Sequence, residues 1–568
     1  MNKQQILTEI SKEFKIAGVI DVDEHDSIYT FPAWINEQLK RLHKESFENK
    51  ERIVYFITQD FYQKDSELGL KLKILQQYIN RIDISNFFCL IVTSNKNINK
   101  ELELLHLVST DKISLPVMHL NDVDYKVIKV EDTQKGSGKK YNYSSTDLLK
   151  MDMSELNDRE NHLLTKSKSF CIYPWVHMHA YPTGEVYPCC AAERVEPIGY
   201  ANTTTLKELW NAPNLKKLRI DMLEDNWNPY CTRCYEQENA GFFSMRNSAN
   251  KHLGHHIKKI EQTNTDGSVD DFRMVYWDIR FSNLCNLRCR SCGYIFSSQW
   301  YNDQVKLMGP WAEDFKKKTK VLNYAGRTET DMWEQLEPHL DYVEQIYFAG
   351  GEPLLMEEHY RILDELDRRG MHDVRLIYNT NFTNTDLKGR SVFEYWKKFK
   401  NVGVGASLDG MGAHAEYIRK GTVWADIERN REEMIEICPQ VDFYVSATMS
   451  IFNALHLPDF HRAWVERRFI RAQDFNVNIL QDPAHYRIDI AHTEYKKKIQ
   501  TKFEQHLDWL RPQDQLRRAV VGFESAINFL NTTDNTQLLE VFWTKTDQLD
   551  SIRKENLMHT IPELAALK

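Results

Sequence analysis

From about residue 270 onward the chain repeats one pattern: a short apolar run, a cluster of residues able to do chemistry, then an amphipathic stretch. The runs are MVYWDIRFS (Met274–Ser282), VEQIYFAG (Val343–Gly350), DVRLIYNT (Asp373–Thr380), VGVGASLD (Val402–Asp409), FYVSATMS (Phe443–Ser450) and FNVNIL (Phe475–Leu480). Their β-branched and aromatic content reads as strands, and stretches such as HYRILDELDRRG from His359 and WADIERNREEMIEI from Trp424 read as helices between them. Near-continuous apolar strands alternating with helices predict a parallel sheet covered by helices, either open or curled into a barrel. Cysteines, paired glycines, Asn381 and Asp409 fall at or just past the C-terminal ends of four successive strands. That edge is where parallel α/β folds build their ligand sites.

The remainder of the chain divides around this region. Residues 1–130 mix strand signals (RIVYFIT from Arg52, FFCLIVT from Phe87) with helix signals (FPAWINEQLKRL from Phe31, SELGLKLKILQQYINRI from Ser66), the pattern of a small α/β domain. Residues 131–150 are polar with glycine and serine and read as a linker. A cysteine-bearing module spans 151–260, the strand–helix series runs over 270–485, and 486–568 form a helical C-terminal extension. No internal repeat emerges.

Charge and cysteine usage narrow the function classes. A net charge of −9 over 568 residues supplies no basic field for capturing nucleic acid, so a nucleic-acid partner is not expected. No run approaches the roughly 18 apolar residues of a membrane span, and the first residues carry no signal-peptide block, so a soluble, cytoplasmic protein is expected. The ten cysteines lie in short-spaced groups, which in a reducing compartment means metal before disulfide. Cys89 and Cys438 stand alone in apolar stretches and read as small buried hydrophobes. The lysine runs at Lys316–Lys320 and Lys496–Lys498 read as solvated helix faces.

The loop CNLRCRSC places thiolates at Cys285, Cys289 and Cys292. Three cysteines can hold three irons of a cubane cluster, and a fully protected cluster takes four, so one iron is left open to a non-protein ligand. A zinc site completed by histidine is the alternative. The spacing of three residues then two is not that of paired CxxC zinc motifs, which argues against it.

At this point the chain resembles the radical S-adenosylmethionine superfamily. DIRFSNLCNLRCRSC, FAGGEPLL, YNTNFTN and SLDG followed by EYIRKG stand in the order that superfamily shows, over roughly residues 272–485. The resemblance implies a partial (β/α)6 barrel and a catalytic [4Fe-4S] cluster whose open iron chelates S-adenosylmethionine. One electron from that cluster would cleave the sulfonium to methionine and a 5′-deoxyadenosyl radical, which takes a hydrogen from substrate; a flavodoxin or ferredoxin would supply the electron. Gly350, Gly351, Glu352 and Pro353 match the segment whose backbone binds the methionine amino group, where a missing Cβ lets backbone approach ligand. Ser407, Asp409 and Arg419 resemble contacts to ribose and carboxylate, a guanidinium being able to fork onto a carboxylate, and Asn381 joins them as a cofactor contact. The residue before the last cysteine, commonly aromatic in the superfamily and stacked near adenine, is Ser291 here; Tyr294 is the nearby candidate to replace it.

A second cysteine set lies upstream in FCIYPWVHMHAYPTGEVYPCC (Phe170–Cys190) and YCTRCYEQE (Tyr230–Glu238). Cys171, Cys189, Cys231 and Cys234 could close one zinc or one fully ligated [4Fe-4S] cluster, and ligand chemistry alone does not choose. The segment looks like the SPASM or twitch auxiliary-cluster domains of radical S-adenosylmethionine enzymes, which favours iron–sulfur; with cysteines for one cluster it is twitch-like. It precedes the barrel, whereas in most relatives it follows. Cys190 is then a spare thiol or alternate ligand, and His177 and His179 beside it are expected to pack or hydrogen-bond rather than ligate. Relatives with such domains often modify peptides, so a peptide or protein substrate is the first expectation. A small molecule such as a sugar or nucleotide derivative is the alternative, and a non-catalytic iron–sulfur carrier is a remote third.

Overall fold

The computed structural model describes residues 155–239, 244–514 and 517–567, together with the backbone of several short strands before them. Two compact units result, Met1–Asn142 and Tyr143–Lys568. In the first, Ile16–Asp21, Arg52–Ile57 and Cys89–Thr93 pair in parallel and Lys126–Val130 adds antiparallel to the third. The strands expected near Arg52 and Phe87 are among these four; the helices expected from Phe31 and Ser66 lie outside the described residues.

The second unit is built on one nine-stranded sheet. Six of its strands follow each other in chain order and all pair in parallel: Tyr276–Ile279, Gln345–Phe348, Arg375–Thr380, Val402–Ala406, Asp442–Met449 and Phe475–Ile479. Each lies within one of the six runs identified in the sequence, one residue early at Asp442. Helices Glu357–Arg368, Trp424–Ile437 and Leu457–Glu466 are interleaved with the strands. This is the mostly parallel sheet of a partial barrel.

The strands are not uniformly apolar as expected. Arg375–Thr380 and Asp442–Met449 alternate strictly, with Leu376, Tyr378, Phe443, Val445 and Ala447 fully packed and Arg375, Asn379, Tyr444 and Ser446 half-exposed. Successive side chains on a strand point to opposite faces. One face therefore packs in the helix-covered core and the other carries these partly buried polar side chains, Asn379 reaching the cavity described below. The core face is deep: helix Glu357–Arg368 sends Tyr360, Ile362, Leu363 and Leu366 to zero exposure, each burial stabilising by roughly 1.5–3 kcal/mol.

The first barrel strand has a neighbour on its other side that periodicity could not reveal. Asp278 and Ile279 pair in parallel with His179 and Ala180, whose hairpin partners Glu185–Tyr187 and Gly199–Tyr200 extend the sheet antiparallel. The cysteine module thus continues the barrel sheet. At the far edge, helix Arg518–Thr532 of the C-terminal extension packs on strand Phe475–Ile479. Among the described residues no helix is long and apolar enough to cross a membrane.

Candidate active site and auxiliary cysteine site

Just past strand Tyr276–Ile279, the chain turns into the cysteine loop, which is held from three sides. Cys289 and its neighbour Arg288 pair antiparallel with Arg419 and Lys420. The Trp300 indole N–H donates to the Cys289 carbonyl at 2.7 Å, and the Ser297 hydroxyl donates to the Leu287 carbonyl at 2.6 Å. From the third side, buried Arg290 stacks on the Tyr417 ring at 3.8 Å and pairs with Asp550 and, at 2.8 Å, with Glu555. The C-terminal extension therefore fastens the loop from about 260 positions away.

The glycine loop after strand Gln345–Phe348 lies directly on this turn. The Gly351 N–H donates to the Ser282 carbonyl at 3.2 Å and the Glu352 N–H to the Leu284 carbonyl at 2.7 Å. A Cβ on Gly351 would stand 2.1 Å from the Leu284 carbonyl oxygen, and Gly350 sits at φ +128°. No other residue type fits there without moving backbone.

Glu352 does not face the cavity; it braces it. Its buried carboxylate accepts from Leu354 N–H at 3.1 Å, the Thr380 hydroxyl at 2.7 Å and Asn381 N–H at 2.7 Å, tying the second strand end to the third. Burial pushes its carboxyl up to about 7 against those hydrogen bonds. Asp409 is a brace as well: one carboxylate oxygen accepts from Thr448 N–H at 2.7 Å and the other from Arg419 Nε at 2.8 Å. That leaves Arg419 Nη1 3.5 Å from the Cys289 sulfur. Asn381 Nδ2 donates to Asn286 Oδ1 at 2.8 Å and lies 4.0 Å from the Cys285 sulfur.

These elements enclose a cavity of about 270 Å³. Cys285, Cys289 and Cys292 line it together with Gly350, Gly351, Asn381, Ser407 and Arg419. Pro353 and the two braces stay behind its wall. The structure places the Tyr294 ring edge-on against Phe315 with centroids 5.0 Å apart, while Phe296 lines the cavity. Sequence reasoning also missed Arg280, Asn379 and Thr380 on the wall. Arg280 and Asn379 carried a signal in retrospect: Arg280 stands two residues from Asp278 and Asn379 four from Arg375, spacings that keep side chains on one face of an extended run.

The donor set fits a cluster held by three cysteines. Among the described residues, no histidine or carboxylate lines the cavity to complete a zinc site. Burial pushes all three thiols up, Cys292 to about 12, with Cys289 adding to the effect at both Cys285 and Cys292. Buried sulfurs crowded this way become thiolates when a bound cation offsets their charge.

The upstream cysteines also converge. Burial raises Cys171 and the charges of Cys231 and Cys234 add to it; Cys189 feels Cys190, Cys171, Cys231 and Cys234. Cys190 lies close to Cys189 and to buried Asp278 of the first barrel strand; burial and then that carboxylate push its thiol up to about 12. His179 Nδ1 lies 2.8 Å from the Asp278 carbonyl and 3.2 Å from its carboxylate, and Asp278 pairs with cavity-lining Arg280 at 2.9 Å. His177 stacks on Tyr276 at 4.3 Å, and burial lowers it to about 4. Both histidines are thus hydrogen-bonded to backbone in the packed seam. Tyr181 of the same module reaches Phe296 with ring centroids 6.0 Å apart.

Comparison with known proteins bears on this module first. Residues 171–235 match the SPASM family, described as an iron–sulfur cluster-binding domain. No curated protein matches the chain. Among solved structures, native anSMEcpe with bound AdoMet is 21% identical, with a TM-score of 0.29, over 40% of this chain and 59% of that one. Native anSMEcpe with bound AdoMet and Cp18Cys peptide is 20% identical, TM-score 0.26, over 40% of this chain and 57% of that one. TYW1 with a lysine-pyruvate adduct is 13% identical, TM-score 0.20, over 42% and 70% respectively. The chain therefore spans less than two thirds of the anSMEcpe chains it matches.

Proposed function

We infer that this chain is a radical S-adenosylmethionine enzyme with an iron–sulfur SPASM module placed before its barrel, and that it modifies a peptide or protein. The observation that carries the reading is the single cavity in which three cysteine sulfurs, the paired glycines and Arg419 meet at the C-terminal strand edge. When bound, a [4Fe-4S] cluster with S-adenosylmethionine supplies a carbon-centred radical able to take hydrogen from an unactivated carbon.

The protein's part is to hold, orient and exclude. Cys285, Cys289 and Cys292 would carry the cluster and leave one metal position open. The N–H groups of Gly351 and Glu352 are engaged by Ser282 and Leu284. An ammonium group beside the glycines must therefore donate to carbonyl oxygens, which suits the amino group of an amino-acid-like ligand. Arg419 is fixed through Nε by Asp409 and carries Nη1 beside the Cys289 sulfur, so its guanidinium faces the cavity where an anion would bind. Leu287, Ala349 and Phe296 supply the apolar wall that limits water.

Cys171, Cys189, Cys231 and Cys234 would hold the auxiliary [4Fe-4S] cluster. Cys190, Asp278 and Arg280 connect that module to the cavity wall, and Tyr181 touches Phe296, which supports an auxiliary cluster facing the substrate space. The polar groups on the cavity wall, Arg280, Asn379, Thr380, Asn381 and Ser407, support a substrate rich in hydrogen-bonding groups, as a peptide backbone is.

Two measurements test this. Adding S-adenosylmethionine to the reduced, loaded protein should change the electron paramagnetic resonance signal of the cavity cluster, and Arg419→Ala should weaken that response. Where a short peptide is encoded beside this chain, co-expression of the two should give a peptide of altered mass. An unaltered peptide, with a nucleotide or sugar altered instead, rejects the peptide reading while leaving the cluster chemistry standing.

A further inference from the structure

At the opposite end of the second barrel strand from the glycine loop, three ligand-type side chains meet that play no part in the cavity. His255 and His256 lie in the helical turn Gly254–Gln262, on the connector leading from the SPASM module to the barrel. Glu344 immediately precedes strand Gln345–Phe348. Its backbone is fixed in the sheet, its N–H donating to the Val275 carbonyl at 2.8 Å and its carbonyl accepting from Arg375 at 2.9 Å. His255 Nε2 stands 2.7 Å from one oxygen of the Glu344 carboxylate and His256 Nε2 3.0 Å from the other. One donor atom from each residue falls within 4.8 Å of the other two.

We propose that His255, His256 and Glu344 form a binding site for a divalent transition metal of the zinc type, with water completing its coordination. Two imidazole nitrogens and one carboxylate oxygen are the ligand set zinc accepts in three-ligand sites. Adjacent donors around a tetrahedral zinc stand roughly 3.3 Å apart, given bonds of about 2.0–2.1 Å. The two imidazoles therefore need only back away from the carboxylate by a few tenths of an ångström and rotate toward each other. Their rings already lie 4.1 Å apart between centroids.

The surroundings suit an ion. The three side chains are 11%, 17% and 16% exposed, which admits a metal and a water while keeping bulk solvent out. Bound metal would clamp the connector onto the barrel base across about 90 intervening residues. Distance from the cavity makes this a structural clamp.

The test uses the full-length, iron-loaded protein equilibrated with zinc chloride and then dialysed. The expected result is one zinc per chain at unchanged iron content, with a zinc K-edge spectrum showing nitrogen and oxygen neighbours and no sulfur. Glu344→Gln and His256→Gln should each lose that zinc by at least tenfold in affinity while retaining iron. Should either variant fail to fold, the unmodified protein still decides the matter: zinc must raise its melting temperature and a chelator must reverse the rise. No zinc retained, sulfur in the zinc coordination shell, or zinc binding unchanged in Glu344→Gln overturns the proposal.

Discussion

Replacing Gly351 with alanine is the smallest change that attacks the cavity without touching a metal ligand. The new Cβ would stand 2.1 Å from the Leu284 carbonyl oxygen and 2.7 Å from the carbonyl carbons of Asn283 and Leu284, all backbone atoms with no rotamer to escape by. Carbon atoms reach their optimal non-bonded separation only near 3.5–4.0 Å, so the glycine loop and the cysteine loop must part by about 1 Å. That displacement strains the hydrogen bonds from Gly351 to Ser282 and from Glu352 to Leu284, each contributing about 0.5–1.5 kcal/mol. The summed loss of about 1–3 kcal/mol should lower the melting temperature by a few degrees and leave the fold intact. The effect on chemistry should be larger, because a misplacement of about 1 Å costs on the order of 100-fold in rate. The assay is 5′-deoxyadenosine formation from S-adenosylmethionine by reduced protein, with iron content and melting temperature measured on the same sample. Wild-type cleavage by Gly351→Ala at full iron loading would refute the argument that these two loops form the cofactor cradle.

Three further outcomes follow from the same geometry. Cys171→Ala should remove the iron and sulfide of one cluster and leave the other, measured by metal analysis; unchanged iron would exclude an iron–sulfur cluster at the upstream site. Arg290→Met leaves Asp550 and Glu555 facing a buried gap, and breaking a buried pair this way costs about 3–5 kcal/mol, read as a drop in unfolding free energy that Arg290→Met with Asp550→Asn partly restores. Glu352 has a folded pKa raised to about 7, so between about 4.5 and 7 the native state binds more protons than the unfolded chain and this group's contribution to stability falls as pH rises. The stability of wild type minus that of Glu352→Gln should accordingly decline across that window and be flat above it; a difference that rises with pH would reverse the assignment.

How much of this was readable beforehand depended on how local each signal is. The cysteine loop, the glycine pair and Arg419 announced themselves because ligand type, spacing and position after a strand are all short-range properties. The turn after Cys292 carries two aromatics, Tyr294 and Phe296, and the sequence does not say which lines the cavity, because Tyr294 is drawn off by Phe315 of helix Ala312–Lys318. The joining of the module to the barrel sheet was hidden because strand His179–Ala180 is two residues long, too short to show a period. The Arg290 tether was hidden because its acidic partners lie about 260 residues downstream, Asp550 in helix Leu539–Arg553 and Glu555 just past its end, in a stretch that reads as an ordinary charged surface. Cys438, by contrast, is buried as its apolar surroundings indicated, and Lys316 and Lys318 pair with Glu313 and Asp314 on a solvated helix.

The central claim is that Cys285, Cys289 and Cys292 carry a cluster that cleaves S-adenosylmethionine. Its most direct test is product analysis of anaerobic, fully reconstituted protein reduced with dithionite and given S-adenosylmethionine. The account predicts 5′-deoxyadenosine and methionine in equal amounts, abolished when the three cysteines are replaced by alanine and retained at a measurable level in Cys171→Ala. No 5′-deoxyadenosine from wild-type protein with both clusters loaded would contradict it.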